Sequence, residues 1–351
     1  MRLMKLLAGL GIALLLVLML EGAASFFWLK KDYAAYLRQL PTATSFKEEY
    51  HAQHDPEIGW VNIPGKTLPD FYGPGRQITI NKEGVRGSKE YGSTNNVVVL
   101  GDSFTLGYGV DDEETFPAHL QKLIPEVNVI NMGQGGYSLG QCVLWYQRDG
   151  VKFKPDCLVL AIIVDDIWRM GSALTANGYH TPNFTVEDGK FKVSGQPLPK
   201  KVSKGDPLMD ARKKARFFAE HVNIARVMTG AVPEKRVDQE GLYMVAEAAI
   251  DALNHPNLIV VLLPELQDLT QPESRKVYHE IATRLARQSQ SRDWQFLDLM
   301  RAFLQVGPQA GKDFFLEEQW HHYSEQGNAF VAKQLRDSLG QHVSSPPEFQ
   351  P

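Results

Sequence analysis

The stretch that decides the fold is VVVLGDSFTLGYGV, residues 97–110. Four apolar residues end at Leu100, and Gly-Asp-Ser follows at once. A short apolar run that ends in a turn is typical of a strand buried on both faces, as in a parallel sheet. Ligands of open parallel sheets bind where the strands end. Ser103 is therefore either an ordinary turn residue or a functional hydroxyl.

The same pattern recurs along the chain, where short apolar runs alternate with segments of helical periodicity. The predicted strands are Asn96–Leu100, Val127–Asn131, Cys157–Val164, Leu258–Leu263 and Gln295–Leu299. The predicted helices are 115–124, 138–148, 240–254, 272–290 and Glu325–Leu339. Strands and helices in alternation predict an α/β fold, with a central parallel sheet covered by helices on both faces.

The rest of the chain falls into segments of different composition. Residues 32–90 are rich in turn residues and are interpreted as a lead-in that packs on the main domain, residues 91–342. At about 170–235 the alternation stops, and this insertion contains a hairpin signal around Asp188-Gly189 and then a basic amphipathic helix. Residues 343–351 are predicted to be a disordered tail.

Residues 1–31 carry an apolar segment between basic flanks. Counted from Leu6 to Leu29 it has 24 residues, with Glu21 inside it, and that length spans a bilayer core of about 30 Å. Counted only to Leu20 it resembles a signal peptide with a cleavage site at GAAS. The aromatic residues 26–28 favour an uncleaved transmembrane anchor. We therefore expect a membrane-anchored protein whose catalytic domain is exported, periplasmic or extracellular.

Composition excludes several classes of protein. With 37 basic and 41 acidic residues among 351, the net charge is -4, so the chain lacks the excess of positive charge that is typical of nucleic-acid-binding proteins. Two cysteines are too few for a disulfide scaffold or a cysteine-based zinc site. We expect no cofactor and no nucleic-acid partner; the oligomeric state stays open.

Two further strand ends carry unusual residues. The loop NMGQGGYS contains Gly133, Gly135 and Gly136, which let the backbone approach a ligand closely. The third strand delivers Asp165 and Asp166 together, either as a helix N-terminus signal or as functional carboxylates.

A fourth cluster, EEQWHHYSEQG, precedes the last helix and holds Glu317, Glu318, His321 and His322. Two histidines beside carboxylates are candidates for a general base and the group that orients it. Adjacent histidines rarely point at one metal ion, and further ligands are not evident, so no metal site is predicted.

Together the four pieces resemble the SGNH hydrolases, also called the GDSL family. GDSFTLGYGV is similar to the nucleophile block, NMGQGGYS to the second, KPDCLVLAIIVDDI to the third and HHYSEQGNAFVA to the last, over roughly residues 55–340. The resemblance implies a three-layer α/β/α sandwich with a Ser-His-Asp triad. It also implies that Ser103 is the nucleophile, that its backbone N–H and that of Gly136 form the oxyanion hole, and that the last block supplies the base.

The sequence departs from the family at two places. The third block usually ends in Asn-Asp, whereas Asp165 stands at the asparagine position, and an ionised carboxylate accepts hydrogen bonds but cannot donate one to an oxyanion. In the last block an aspartate is expected three residues before the histidine. Glu318 lies three before His321, but Gln319 lies three before His322.

We prefer His322 as the base and Glu318 as its orienting acid. His321 is the alternative base, and a Ser-His dyad is also possible.

Three functions follow from these residues. The first is a serine ester hydrolase acting on O-acyl esters, of glycans or of other cell-envelope molecules. The second is an O-acyltransferase that uses the same serine. The third is a catalytically impaired glycan-binding or assembly protein, for which Asp165 and the displaced acid argue.

Overall fold

The computed structural model describes residues 5, 9–22, 48–92, 94–175, 178–200, 239–307, 313–317 and 321–339. The chain divides into two compact units, and the larger one comprises Lys47–Lys201 and Asp238–Pro351. Every element described below belongs to that larger unit, except for one helix over residues 9–22.

That helix is the part of the apolar N-terminal segment that the structure describes. Among the described residues, no helix combines the length and the apolar character needed to cross a membrane. The predicted span also includes residues 6–8 and 23–29, which lie outside the described residues, as do the predicted basic helix and the tail at 343–351. The anchor stays a prediction.

The strands are, in chain order, β1 (Ala52–Asp55), β2 (Gly59–Asn62), β3 (Thr67–Leu68), β4 (Ile78–Thr79), β5 (Asn96–Gly101), β6 (Asn128–Gly133), β7 (Cys157–Ile162), β8 (Asn183–Glu187), β9 (Lys190–Ser194), β10 (Leu258–Leu262) and β11 (Trp294–Asp298). The helices are α1 (9–22), α2 (Glu48–His51), α3 (Ser103–Leu106), α4 (Phe116–Leu123), α5 (Leu139–Asp149), α6 (Val164–Arg169), α7 (Gln239–Ala252), α8 (Leu266–Thr270), α9 (Pro272–Ser289), α10 (Met300–Val306) and α11 (Glu325–Leu339).

Five strands form one parallel sheet in the order β11-β10-β7-β5-β6, which confirms the predicted α/β fold. Successive side chains of a strand point to opposite faces. Val98 and Leu100 accordingly enter a core with α5, α7 and α9, whereas Val97 and Val99 enter a second core with α4, α10 and α11. The helices thus cover both faces of the sheet, in three layers.

The strand ends lie side by side at the carboxyl edge of the sheet. Gly101 of β5 pairs with Gly133 of β6 on one side and with Ala161 of β7 on the other. Leu262 of β10 pairs with Ile162 of β7. Because the pairing is flush, the loops that follow these four strands meet at one place.

The predicted hairpin is present as β8 and β9, with Asp188 and Gly189 both at positive φ, as an Asp-Gly turn requires. It packs on α5, where a Cβ at Gly140 would lie 2.9 Å from the ring of Phe184. The remainder of the predicted insertion, residues 201–235, lies outside the described residues.

The lead-in forms two small antiparallel sheets, β1-β2 and β3-β4, and then reaches β6 through Arg86, which bridges to Asn131. The Arg86 guanidinium is buried and donates to the carbonyls of Leu106, Gly107 and Val110, at the end of α3 and just beyond it. Its Nε also pairs with Asp112 at 3.0 Å. The lead-in therefore holds the loop that follows the candidate nucleophile.

Candidate active site

Ser103 is the first residue of α3, directly after β5. Asp102 caps the helix, since its Oδ1 accepts the Phe104 N–H at 2.9 Å. The first N–H groups of a helix have no partner within the helix. The Ser103 N–H accordingly donates to no acceptor among the described residues.

A close backbone approach joins β6 to this helix. A Cβ at Gly133 would lie 2.1 Å from the Leu106 nitrogen, so only glycine fits there. Asn131 adds a hydrogen bond from its amide to the Thr105 carbonyl at 2.9 Å and accepts the Gly133 N–H at 2.9 Å. The strand-end glycine and asparagine therefore fix the position of α3 relative to β6.

His322 lies in contact with Ser103: its Nε2 is 2.7 Å from the serine Oγ. Both residues are almost buried, with 5% and 7% of their surfaces exposed. The imidazole lies between Phe104 and Tyr108, with ring centroids 4.5 and 5.2 Å away. The aromatic rings hold the imidazole in a fixed place beside the hydroxyl. The serine Oγ is farther, 3.3 Å, from Asp102 Oδ2.

The other histidine is placed differently. His321 is exposed, and its Nδ1 lies 3.0 Å from the Leu316 carbonyl oxygen. Of the two histidines, only His322 has a hydrogen-bond contact with Ser103. Glu318, the predicted orienting acid, and Gln319 lie outside the described residues, so that assignment stays a prediction.

The glycine loop after β6 is attached to the end of β5, because the Gln134 N–H donates to the Gly101 carbonyl at 3.1 Å. Gly136 has φ +73°, in the left-handed region that glycine tolerates. Its N–H donates to no acceptor among the described residues, like that of Ser103. Two N–H groups for which the described part of the chain offers no acceptor therefore flank the place where strands β5 and β6 end.

Asp165 and Asp166 follow β7 in the first turn of α6. Asp166 is buried, and its Oδ2 accepts the N–H of Ile163, the N-cap residue of α6, at 3.1 Å. Burial, and then the charge of Asp102, raises the pKa of Asp166 well above its ordinary value. Asp165 is partly exposed, at the position where the family resemblance places an oxyanion donor.

Arg169, which the sequence reasoning missed, joins three of these loops. It donates to Asp102 at 2.9 Å, to Asp166 at 2.6 Å and to the Tyr137 carbonyl at 3.1 Å. Burial lowers the pKa of Arg169, but the carboxylates of Asp166 and Asp102 outweigh it, so the pKa is raised. The sequence did contain the spacing, because Arg169 lies three residues after Asp166, where side chains meet if the segment is helical.

Glu265 is a second residue that the sequence reasoning missed. It follows β10 at the N-cap position of α8, and its backbone N–H donates to Asp268 Oδ2 at 2.9 Å. Burial raises the pKa of Glu265 to about 8, with further contributions from the charges of Asp165 and Asp268. The strand-end rule that selected Asp165 would have selected Glu265 too.

No group of three or more His, Cys, Asp or Glu side chains within the described parts of the chain could hold a metal ion.

Comparisons with known proteins add the following. No protein-family profile matches this chain, and no curated protein matches it. Among solved structures, the chain is similar to an acetylxylan esterase from Geobacillus stearothermophilus, with 15% identity, a TM-score of 0.43 and coverage of 73% of this chain and 98% of that one. It is also similar to a member of the lipolytic protein G-D-S-L family from Veillonella parvula, with 15% identity, a TM-score of 0.42 and coverage of 70% and 98%.

A third similar structure is a lipase/acylhydrolase from Enterococcus faecalis, with 14% identity, a TM-score of 0.41 and coverage of 72% and 100%.

Proposed function

We propose that this protein is a serine ester hydrolase of the SGNH/GDSL type, with Ser103 as nucleophile and His322 as general base. The observation that carries the proposal is the 2.7 Å contact between Ser103 Oγ and His322 Nε2, at the carboxyl edge of a parallel sheet. A nucleophile within hydrogen-bond reach of a base is the arrangement that activates a serine. The N–H groups of Ser103 and Gly136, which donate to no described acceptor, supply an oxyanion hole.

The reaction then runs in two halves. Ser103 Oγ attacks the ester carbonyl carbon while its proton moves to His322 Nε2, and the carbonyl oxygen becomes an oxyanion facing the two N–H groups. Collapse of this intermediate breaks the bond to the alcohol, which leaves with the proton from His322. Water next loses a proton to His322 and attacks the acyl-serine, which releases the acid and restores the serine hydroxyl.

The substrate class we propose is an O-acyl ester of a glycan or another cell-envelope molecule. The support is the apolar N-terminal segment, which predicts a membrane-anchored, exported protein. Mass spectrometry of the mature N-terminus distinguishes an anchor that retains residues 1–31 from a signal peptide cleaved near GAAS.

An activity-based probe tests the proposed nucleophile. A fluorophosphonate forms a covalent bond to an activated serine, so we expect the wild-type protein to be labelled and Ser103→Ala not to be. His322→Gln removes the base and should reduce labelling by at least about 10²-fold, within the range that a general base contributes. His321→Gln is the matched control and should label like wild type. Wild-type labelling no faster than that of Ser103→Ala would show that the protein is not a serine hydrolase.

Acyl transfer uses the same acyl-serine and differs only in the acceptor. With an activated acetyl ester as donor and a soluble polysaccharide added, hydrolysis predicts that acetate accounts for all the ester consumed. Acylated polysaccharide in place of acetate would overturn hydrolysis in favour of transfer.

A further inference from the structure

Trp60 belongs to the lead-in, yet it contacts the glycine loop of the candidate site, 75 residues later in the chain. Its indole Nε1 donates to the Gly135 carbonyl at 3.1 Å. The residue is 2% exposed, and its ring lies near Gly136, since a Cβ added at that glycine would come within 3.7 Å of it. The indole therefore lies directly against the Gly135–Gly136 peptide.

Because of the geometry of a peptide group, a contact with the Gly135 carbonyl also orients the Gly136 N–H. The carbonyl of Gly135 and the N–H of Gly136 belong to one planar, trans peptide, so they point in opposite directions. A donor that holds the carbonyl on one side thereby fixes the direction of the N–H on the other side. The residues on either side of this peptide, Gly135 and Gly136, are both glycines, and glycine leaves the backbone free to adopt other orientations. The peptide plane is therefore fixed only if a residue outside the loop holds it.

Trp60 is itself held firmly. The Tyr137 hydroxyl donates to the Trp60 carbonyl at 2.5 Å. The Tyr179 ring stacks on the indole at 5.1 Å and 30°, and Tyr137 meets it edge-on at 5.2 Å. Gly59 has φ +110°, and a Cβ there would lie 2.4 Å from the His180 carbonyl, so the chain before Trp60 is fixed as well. A side chain with so many contacts can impose an orientation on a flexible loop.

We propose that Trp60 is a positioning residue of the oxyanion hole, which aims the Gly136 N–H by holding the Gly135 carbonyl. This inference rests on the proposed function, because it assigns the N–H to an oxyanion. It makes the lead-in a part of the active site as well as a covering on it.

Trp60→Phe tests the inference, since it keeps an aromatic ring and removes the donor. Loss of one oxyanion donor reduces kcat by about 10²–10³, and a misaligned donor retains part of its effect, so we expect kcat to fall by about 10- to 100-fold. KM should stay within about twofold, because the oxyanion exists only in the transition state. A merely structural role for Trp60 would not lower kcat while leaving KM nearly unchanged.

A second readout uses a trifluoromethyl ketone, whose adduct with Ser103 places an oxyanion in the hole. Its inhibition constant should rise by about the same factor as kcat/KM falls, since both measure stabilisation of the same charge. Trp294→Phe is the matched control: Trp294 is also buried, at the start of β11, and its indole N–H has no hydrogen-bond partner among the described residues. We expect this control to leave kcat and ketone inhibition unchanged.

If Trp60→Phe fails to fold, replacing Trp60 by 3-benzothienylalanine keeps the shape of the indole and exchanges only the N–H for sulfur. Full kcat and full ketone affinity in a folded variant, with an active wild-type protein, would overturn the role of Trp60 and leave the proposed function intact. An unlabelled wild-type serine would instead overturn the proposed function.

Discussion

Two halves of the same sheet edge differ in what they offer a substrate. The donor half, at the ends of β5 and β6, presents Ser103, the imidazole of His322 and the N–H of Gly136. The acid half, at the ends of β7 and β10, presents Asp165 and Glu265 beside the buried Asp166. The donor half suits a developing oxyanion, whereas the acid half opposes one. In the proposed mechanism, the balance of charge between the halves therefore affects how fast Ser103 reacts.

The charge of a single nearby carboxylate is large enough to change the reaction rate. A unit negative charge about 6 Å from an oxyanion raises its energy by about 3 kcal/mol at an effective dielectric of about 20. That energy corresponds to roughly 10²-fold in rate. Arg169 pairs with Asp166 of the acid half, as well as with Asp102 at the end of β5, and the pKa of Glu265, raised to about 8, keeps that carboxyl protonated at neutral pH. The fold thus reduces the charge of the acid half in two ways, and each can be tested.

Among the changes that test the difference between the two halves, removal of the Arg169 cation should have the largest effect. Arg169→Met leaves the buried carboxyls of Asp102 and Asp166 without their partner, and removing one member of a buried ion pair costs about 3–5 kcal/mol. Because Arg169 is itself about a third exposed, we expect the lower end of that range. Urea unfolding at pH 7 measures the change, and kcat should fall together with stability, since Arg169 also holds the Tyr137 carbonyl.

Arg169→Met with Asp166→Asn is the informative pair, because the second change removes one of the two buried acidic groups that lose their partner. We expect the double variant to be more stable than Arg169→Met alone. Equal free energies of unfolding for wild type and Arg169→Met would show that the arginine does not balance the acid half.

Changing the acid half into a donor should have the next largest effect. Asp165→Asn replaces an acceptor-only carboxylate with an amide that can donate, at the position where the family has asparagine. We expect kcat/KM to stay level or to rise, by up to about 10²-fold if the amide reaches the oxyanion. Asp188→Asn, the same change in the exposed β8-β9 turn, should leave the rate unchanged. A loss of activity in Asp165→Asn alone would mean that the carboxylate takes part in the reaction.

The two halves also differ in how much of them could be predicted from sequence. The strand ends at Ser103 and Asp165 follow from uninterrupted apolar runs, since burial on both faces leaves a simple pattern. The family resemblance already favoured His322 over His321, but periodicity could not separate them, because adjacent residues on an irregular loop have no period that reveals which one faces inward. The sequence carries no local pattern that predicts the contact of Trp60 with Gly135, since these residues lie far apart in the chain.

The smallest effect concerns the proton on Glu265. Below about pH 8 this carboxyl is neutral, and above it a new negative charge appears near Asp165, Asp268 and Asp102, with Arg169 as the opposing cation. We expect kcat/KM to fall on the alkaline side with an apparent pKa near 8, and Glu265→Gln to lack that fall. Persistence of the same alkaline limb in Glu265→Gln would assign it to another group.

Stability gives an independent measurement of the same proton. The pKa of Glu265 is about 8 in the folded protein and has an ordinary value of 4.5, so between these values the folded state binds a proton that the unfolded state has lost. This contribution to stability is complete below about pH 4.5 and is lost as the pH rises through about 8, with a slope of at most about 1.4 kcal/mol per pH unit. Glu265→Gln does not titrate, so its free energy of unfolding should decline less than that of wild type between pH 5 and pH 8. Parallel declines in the two proteins would place the proton elsewhere, and the acid half would then carry its full charge at neutral pH.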